Sequence, residues 1–215
     1  MSLMRKSKAA CCKCGGSHEM NIYRSINAAD DPELKQKVMD GSLFVWECPD
    51  CGQMNLVKYE CLYHDPEKKL MVWLLPSGEL PETEMTAIQN HTKAMGDYTL
   101  RRVSDVTGLM EKVLLVEEGL DDRVMEMCKY VTKMELASKS GDQDVTPLMN
   151  MPMHFLRNED GALVLTYPLD GRMTGCHIGM NVYEDCEGIL ERNEDSLRTE
   201  GFAKIDSDWI LSMMK

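Results

Sequence analysis

Four cysteines in two matched pairs carry the clearest chemistry in this chain. Cys11-x-x-Cys14 and Cys48-x-x-Cys51 are separated by 33 residues, 15–47, and each pair is followed at once by a glycine, Gly15 and Gly52. The spacing lets both sulfurs of a pair reach one ion at about 2.3 Å while the glycine turns the chain past it. Backbone amides of such a turn can donate to the sulfurs and spread their charge. Four thiolates form a closed tetrahedral site with no position left for water, a structural arrangement, and one zinc ion per chain is expected. An iron–sulfur cluster would use the same donors. Cys12 offers a second register, Cys12-x-Cys14, although Cys11 repeats the spacing of the second pair, and His18 and Cys61 are further donors nearby. An extra thiol at Cys12 also raises a redox reading in which oxidation ejects the metal, against the simpler one that Cys12 packs.

Positioning these residues falls to short strands. Met20, Ile22 and Ile26 lie at even spacing in a strand expected over His18–Ile26. Asp30-Asp31-Pro32-Glu33 supplies a cap, a first-turn proline and an acidic first turn for a short helix ending at Gly41. Strands are expected over Ser42–Glu47, leading into Cys48, over Gln53–Glu60, and over Lys69–Leu75, the last more buried. Pro76–Pro81 is the clearest breaker cluster. The chain therefore divides into a zinc-binding domain at 10–76, a linker or connecting helix at 77–96, and an acidic α+β domain at 97–215.

The character beyond the breaker turns helical. Val106, Leu109, Met110, Val113 and Leu114 form one apolar stripe over Ser104–Glu118, and Val124, Met127, Cys128, Val131 and Met134 a second over Asp121–Leu136. Gly119-Leu120 between them is short enough for an antiparallel helix pair. Ser138–Asp144 reads as a polar loop, and Met153–Arg157 with Ala162–Tyr167 as a β-hairpin turning at Asn158–Gly161. Val182, Tyr183, Cys186, Ile189 and Leu190 make a third helical stripe. Phe202–Ile205 reads as a short strand. Asp206-Ser207-Asp208 then caps a last helix burying Trp209, Ile210, Met213 and Met214. The expected fold class is α+β, with an N-terminal zinc-ribbon-like β domain followed by a mixed α/β region containing the helix pair.

Within residues 10–76, Cys11-x-x-Cys14-Gly15, Ser25-Ile26-Asn27, Asp31-Pro32-Glu33-Leu34, Gly41-x-Leu43, Cys48-Pro49-x-Cys51-Gly52 and Leu62-Tyr63-His64-Asp65 together resemble the CpXC family. That is a set of bacterial and archaeal proteins with two cysteine-pair knuckles and no assigned activity. Cys12 stands where the first knuckle's proline would fall. Gly119-Leu120-Asp121-Asp122-Arg123-Val124 and Ile205-Asp206-x-x-Trp209 look like segments that accompany the domain. The resemblance implies zinc binding by Cys11, Cys14, Cys48 and Cys51, and no reaction.

Composition narrows the partners. The chain has 215 residues, 43% hydrophobic and 28% charged, ordinary globular usage. Net charge is −12, and all of it lies in residues 62–215, because residues 1–61 hold eight basic and eight acidic side chains. Such a surface repels phosphate backbones, so nucleic-acid binding is disfavoured. Arg5, Lys6, Lys8 and Lys13 argue the other way but read as a solvated tail, with Met1-Ser2-Leu3 a leader ahead of Met4. Stacking of single strands on Tyr23, Trp46 or Tyr59 is the competing nucleic-acid reading; their alternate strand positions suit packing better. The longest apolar run, Leu70–Leu75, falls far short of the ~20 residues of a membrane span. Nine cysteines, an odd number, without an export signal point to reduced thiols and a cytoplasmic setting. Nineteen methionines without a short repeat read as core filling.

Other chemistry is weaker. His64 beside Asp65 could be a general base with its orienting acid, but neighbours on a strand face opposite ways and Pro66 suggests a turn. Asp121 and Asp122 could hold a divalent ion, yet capping explains two acids at a helix start. No serine–histidine–aspartate ordering, phosphate-binding loop or H-E-x-x-H motif is present. Two functions follow: a zinc-stabilised module that meets a protein partner or itself, or an enzyme with its site in the C-terminal region near His64, Asp121 and Asp122. The first is preferred.

Overall fold

The computed structural model describes residues 1–78, 82–140, 144–169 and 171–213. It is an α+β chain gathered into two compact units, Met1–Val113 with Gly201–Ala203, and Leu114–Glu200 with Lys204–Lys215. Of the breaker cluster, residues 79–81 lie outside the described residues, as do 141–143 of the expected polar loop and Met214 of the last helix.

The first unit opens with strand β1 (Leu3–Ala10), antiparallel to β2 (Ser17–Asn27), with Ala10 opposite Ser17. This corrects the reading of the basic segment as a solvated tail. Leu3, Met4 and the lysines are all at least partly exposed, so no apolar alternation marks the strand. The strand lies at the sheet edge, where lysines discourage pairing with another chain. Helix α1 (Pro32–Met39) follows, starting at the proline as expected although Asp31 makes no side-chain cap hydrogen bond, and it buries Leu34 and Val38. Ser42–Phe44 is a 3-10 turn, so β3 is only Val45–Glu47; β4 is only Met54–Leu56, antiparallel to it. Phe44 anchors that turn, fully buried, with its ring centroid 5.3 Å from that of Tyr59.

Strands β5 (Cys61–Asp65) and β6 (Leu70–Leu74) form a hairpin, and helix α2 (Glu82–Met95) leads to β7 (Thr99–Val103). The five-stranded order is β1-β2-β5-β6-β7, with β2–β5 and β6–β7 parallel. All five residues of β6 are buried, as expected for a strand with neighbours on both sides and both faces covered. Phe202 meets Trp73 edge-on at 5.4 Å. The expected strand at Phe202–Ile205 is reduced to one parallel bridge, Ala203 with Arg101.

The division between units falls within helix α3 (Val106–Glu117). The second unit contains α4 (Asp122–Ser140), α5 (Thr146–Met149), and a sheet of β8 (His154–Glu159), β9 (Ala162–Leu169) and β10 (Arg172–Gly179) in the order β10-β9-β8. Helices α6 (Met180–Arg192), α7 (Glu194–Leu197) and α8 (Ser207–Met213) complete it. Helix α4 runs through Ser138–Ser140, which were expected in a loop; Lys139 pairs with Glu135 one turn back at 2.7 Å. The core joins Val124, Met125 and Cys128 of α4 to Leu163 and Leu165 of β9 and to Tyr183 and Cys186 of α6. Met125, Met127, Met151 and Met153 are buried there, the gap-filling use expected of them. In α8, Ile210 is buried and Asp206 accepts from the Trp209 amide at 3.2 Å, but Met213 is 42% exposed, against expectation.

Candidate metal centre

Each cysteine pair lies at the tip of a hairpin: residues 11–16 turn β1 into β2, and 48–53 turn β3 into β4. The two tips share one backbone pattern. Cys11 N donates to Gly16 O at 2.9 Å and Gly15 N to Cys11 O at 3.0 Å; Cys48 N donates to Gln53 O at 2.9 Å and Gly52 N to Cys48 O at 2.8 Å. Gly15 and Gly52 have φ of +73° and +67°, where a side chain is strained.

The tips bring four sulfurs together. Cys11 Sγ is 3.6 Å from Cys51 Sγ, and Cys14 Sγ is 3.6 Å from Cys48 Sγ. All four lie within 4.8 Å of one another, a group able to hold a metal ion. Each close contact joins one tip to the other, so an ion here would tie the hairpins together. Cys11 and Cys48 are buried, Cys51 is half-buried and Cys14 is exposed. Hydrogen bonds from the Cys14 and Lys13 amides lower the Cys11 thiol to about 6, whereas burial pushes Cys48 up. Like-charged thiolates this close need a cation among them before all can ionise.

The alternative donors fall elsewhere. Cys12 is exposed and outside the group of four. Cys61 is buried in β5, where desolvation pushes its thiol up to about 12. His18 comes near, its Nε2 2.8 Å from Asp50 Oδ2, and these two form a further cluster with Cys48.

One residue at the centre escaped the sequence reading. Asn55, in β4 and 6% exposed, accepts from Cys12 N at 2.9 Å and donates through Nδ2 to Gln53 O at 2.7 Å and Cys11 Sγ at 3.7 Å. It links the two tips and offers a proton to a sulfur. A lone amide between two apolar residues, Met54 and Leu56, three residues past a knuckle glycine, is the sequence signal that points to it.

The candidate acid–base residues are occupied. His64 lies within β5, not in a turn; its Nε2 is 3.1 Å from Tyr98 Oη, and burial lowers its pKa. Asp65, beside it, is 2% exposed, accepts from Lys35 Nζ at 2.9 Å, and takes the Glu67 and Lys68 amides at 3.1 and 3.0 Å. Asp121 caps the Arg123 amide at 2.8 Å and binds its guanidinium at 2.6 Å, as the capping argument expects.

Two cysteine-pair hairpin tips converging on a four-sulfur cluster in an α+β chain define a class of protein with a site able to hold a metal ion. Within that class the chain belongs to the CpXC family, described simply as CpXC protein, whose sequence profile matches residues 9–129. The match begins just before the first tip and ends inside α4. No curated protein and no solved structure matches the chain.

Proposed function

We propose that Cys11, Cys14, Cys48 and Cys51 hold one structural zinc ion, and that the module so fixed makes contact with protein. The sulfur separations carry the first part. Four sulfurs at zinc's bond length of about 2.3 Å on a tetrahedron stand about 3.8 Å apart, close to the two separations of 3.6 Å. Four soft thiolates favour zinc over hard oxygen-seeking ions, and a closed set of four leaves no site for an activated water. Elemental analysis of freshly reduced protein should find one zinc per chain; no metal, or iron with visible colour, overturns the assignment.

Protein contact is supported by the outward face of the second hairpin. Val45 and Leu56 pair across β3 and β4, and with Met54 they are 36%, 57% and 56% exposed on a face that is apolar apart from Glu47, which lies opposite Met54. Residues 1–61 carry no net charge, so two copies can meet there without the repulsion that −12 elsewhere imposes. A second copy of this chain is therefore the partner we assign to the face. Sedimentation velocity should show concentration-dependent self-association that Leu56→Glu abolishes. A concentration-independent monomer removes self-association from the reading while leaving the zinc assignment standing. The reducing cytoplasm suits exposed Cys12 and the other free thiols, and is the compartment we propose.

A further inference from the structure

Two thiols in the second unit form a pair remote in sequence from the metal centre. Cys128 lies on the inward stripe of α4 with Val124 and Met125, and Cys186 on that of α6 with Tyr183 and Leu190. They are 0% and 3% exposed, both free, and members of one core cluster, with Cys128 Sγ 3.9 Å from the carbonyl of Val182 one turn before Cys186. Helix backbones have a radius of about 2.3 Å and pack with axes 8–10 Å apart, so facing Cα atoms stand roughly 3.4–5.4 Å apart. That overlaps the 4.4–6.8 Å or so that a disulfide spans.

The pair is asymmetric. A groove of about 320 Å³ opens beside it, lined by Met127, Val131, Cys186, Ile189, Leu197 and Ile210 among others. Cys186 is part of its wall and Cys128 is not. Val131 and Ile189, each 45% exposed, flank the opening, so a water-sized solute can enter. The interaction with Cys128 favours ionisation of Cys186, while the same neighbour and burial hold Cys128 as a thiol.

We propose that Cys128 and Cys186 are a peroxide-oxidisable thiol pair, Cys186 reacting first and Cys128 resolving. Cys186 first gives its proton to solvent, and its thiolate attacks one oxygen of hydrogen peroxide; an S–O bond forms, the O–O bond breaks, and the leaving hydroxide takes up that released proton to become water. Cys128 sulfur then attacks the sulfenic sulfur of Cys186. The S–S bond forms, the S–O bond breaks, and the departing hydroxide takes the Cys128 proton to leave as water. Two thiols are oxidised by two electrons and one peroxide becomes two waters. The product staples α4 to α6 along the wall of the groove.

The test uses full-length, zinc-loaded, reduced protein treated with a few-fold excess of hydrogen peroxide, blocked with N-ethylmaleimide, digested and analysed by mass spectrometry. A Cys128–Cys186 linked peptide about 2 Da lighter than its two thiol parts is expected. With dimedone present, Cys128→Ala should label at Cys186 about ten-fold more than Cys186→Ala labels at Cys128, because the thiolate at the groove is the one attacked. The wild-type map requires no variant to fold. Recovery of both cysteines as maleimide adducts under conditions that oxidise exposed Cys12 overturns the proposal. So does a disulfide from Cys186 to Cys176, the half-buried free thiol of β10 that packs against the same core, or equal dimedone labelling of the two variants.

Discussion

Asn55 shows what a single side chain contributes at the tip of a knuckle. Its amide spans both tips and donates to Cys11 Sγ, so it spreads thiolate charge and fixes the orientation of a donor. Groups of this kind are worth roughly 10- to 100-fold in metal affinity. Asn55→Ala should therefore lose zinc to a chromophoric chelator at a 10- to 100-fold lower chelator concentration than the wild type, with the fold retained. Cys48→Ser should go further and release the ion, because it removes a donor itself, and structural zinc is worth on the order of 10 kcal/mol coupled to folding. Cys128→Ser, in the second unit, should keep one zinc per chain. Zinc retained in Cys48→Ser but lost in Cys128→Ser would show the ligand set to be wrong.

At the scale of elements, two adjacent glycines of the first tip respond differently to the same small change. A Cβ at Gly15 meets nothing within 4 Å, so Gly15→Ala should cost only the left-handed backbone strain, about 1 kcal/mol. Gly16 has no positive φ, but a Cβ there runs into Asp50 Oδ2 and comes within 3.3 Å of Cys14 Sγ. Gly16→Ala should thus weaken zinc retention more than Gly15→Ala in the same chelator titration. The β5–β6 turn gives a pH dependence. Although burial opposes it, the Lys35 ammonium and the two backbone amides hold the Asp65 carboxyl below the usual carboxylate range. The stabilisation is thus complete above the unfolded value near pH 4 and fades as pH falls toward the lower folded value. Asp65→Asn should destabilise by about 2 kcal/mol at pH 6, less than a fully buried pair because Lys35 keeps 19% exposure. The gap in urea midpoint between wild type and variant should shrink at pH 3.

For the whole molecule, the net charge of −12 makes a prediction about nucleic acid. Affinity for duplex DNA or RNA should not survive 150 mM salt, where the Debye length is about 8 Å, because few phosphates can be met by Arg5, Lys6, Lys8 and Lys13. Deleting residues 1–9 is an unsuitable control, since Leu3–Ala10 is a strand of the first hairpin. Lys6→Gln with Lys8→Gln removes the charge without setting new carboxylates against Glu19, which Lys8 faces across the β1–β2 pair and Lys6 bonds at 2.7 Å. Fluorescence anisotropy with labelled oligonucleotides measures the outcome, and micromolar binding persisting in the double variant would turn the reading toward nucleic acid. Among the described residues no helix is long and apolar enough to cross a membrane.

Local chemistry wrote much of this into the chain. The knuckles were legible because cysteine spacing and a following glycine are constraints of a few residues, and α1, α4 and α6 because a cap or an apolar stripe repeats every turn. The β8–β9 hairpin showed in its turn residues. Strands β1, β5, β7 and β10 were not legible. Each draws its pairing from a partner distant in sequence or lacks apolar alternation: β1 is lysine-rich at an edge, β7 carries Arg101 and Arg102, and β10 holds two glycines. Which cysteine of the first pair would face the second, and that Asn55 would join them, depended on where two hairpins meet. Spacing within one turn cannot specify that meeting, because a sulfur's neighbours across 34 or 40 residues are set by the packing of the sheets that carry both tips.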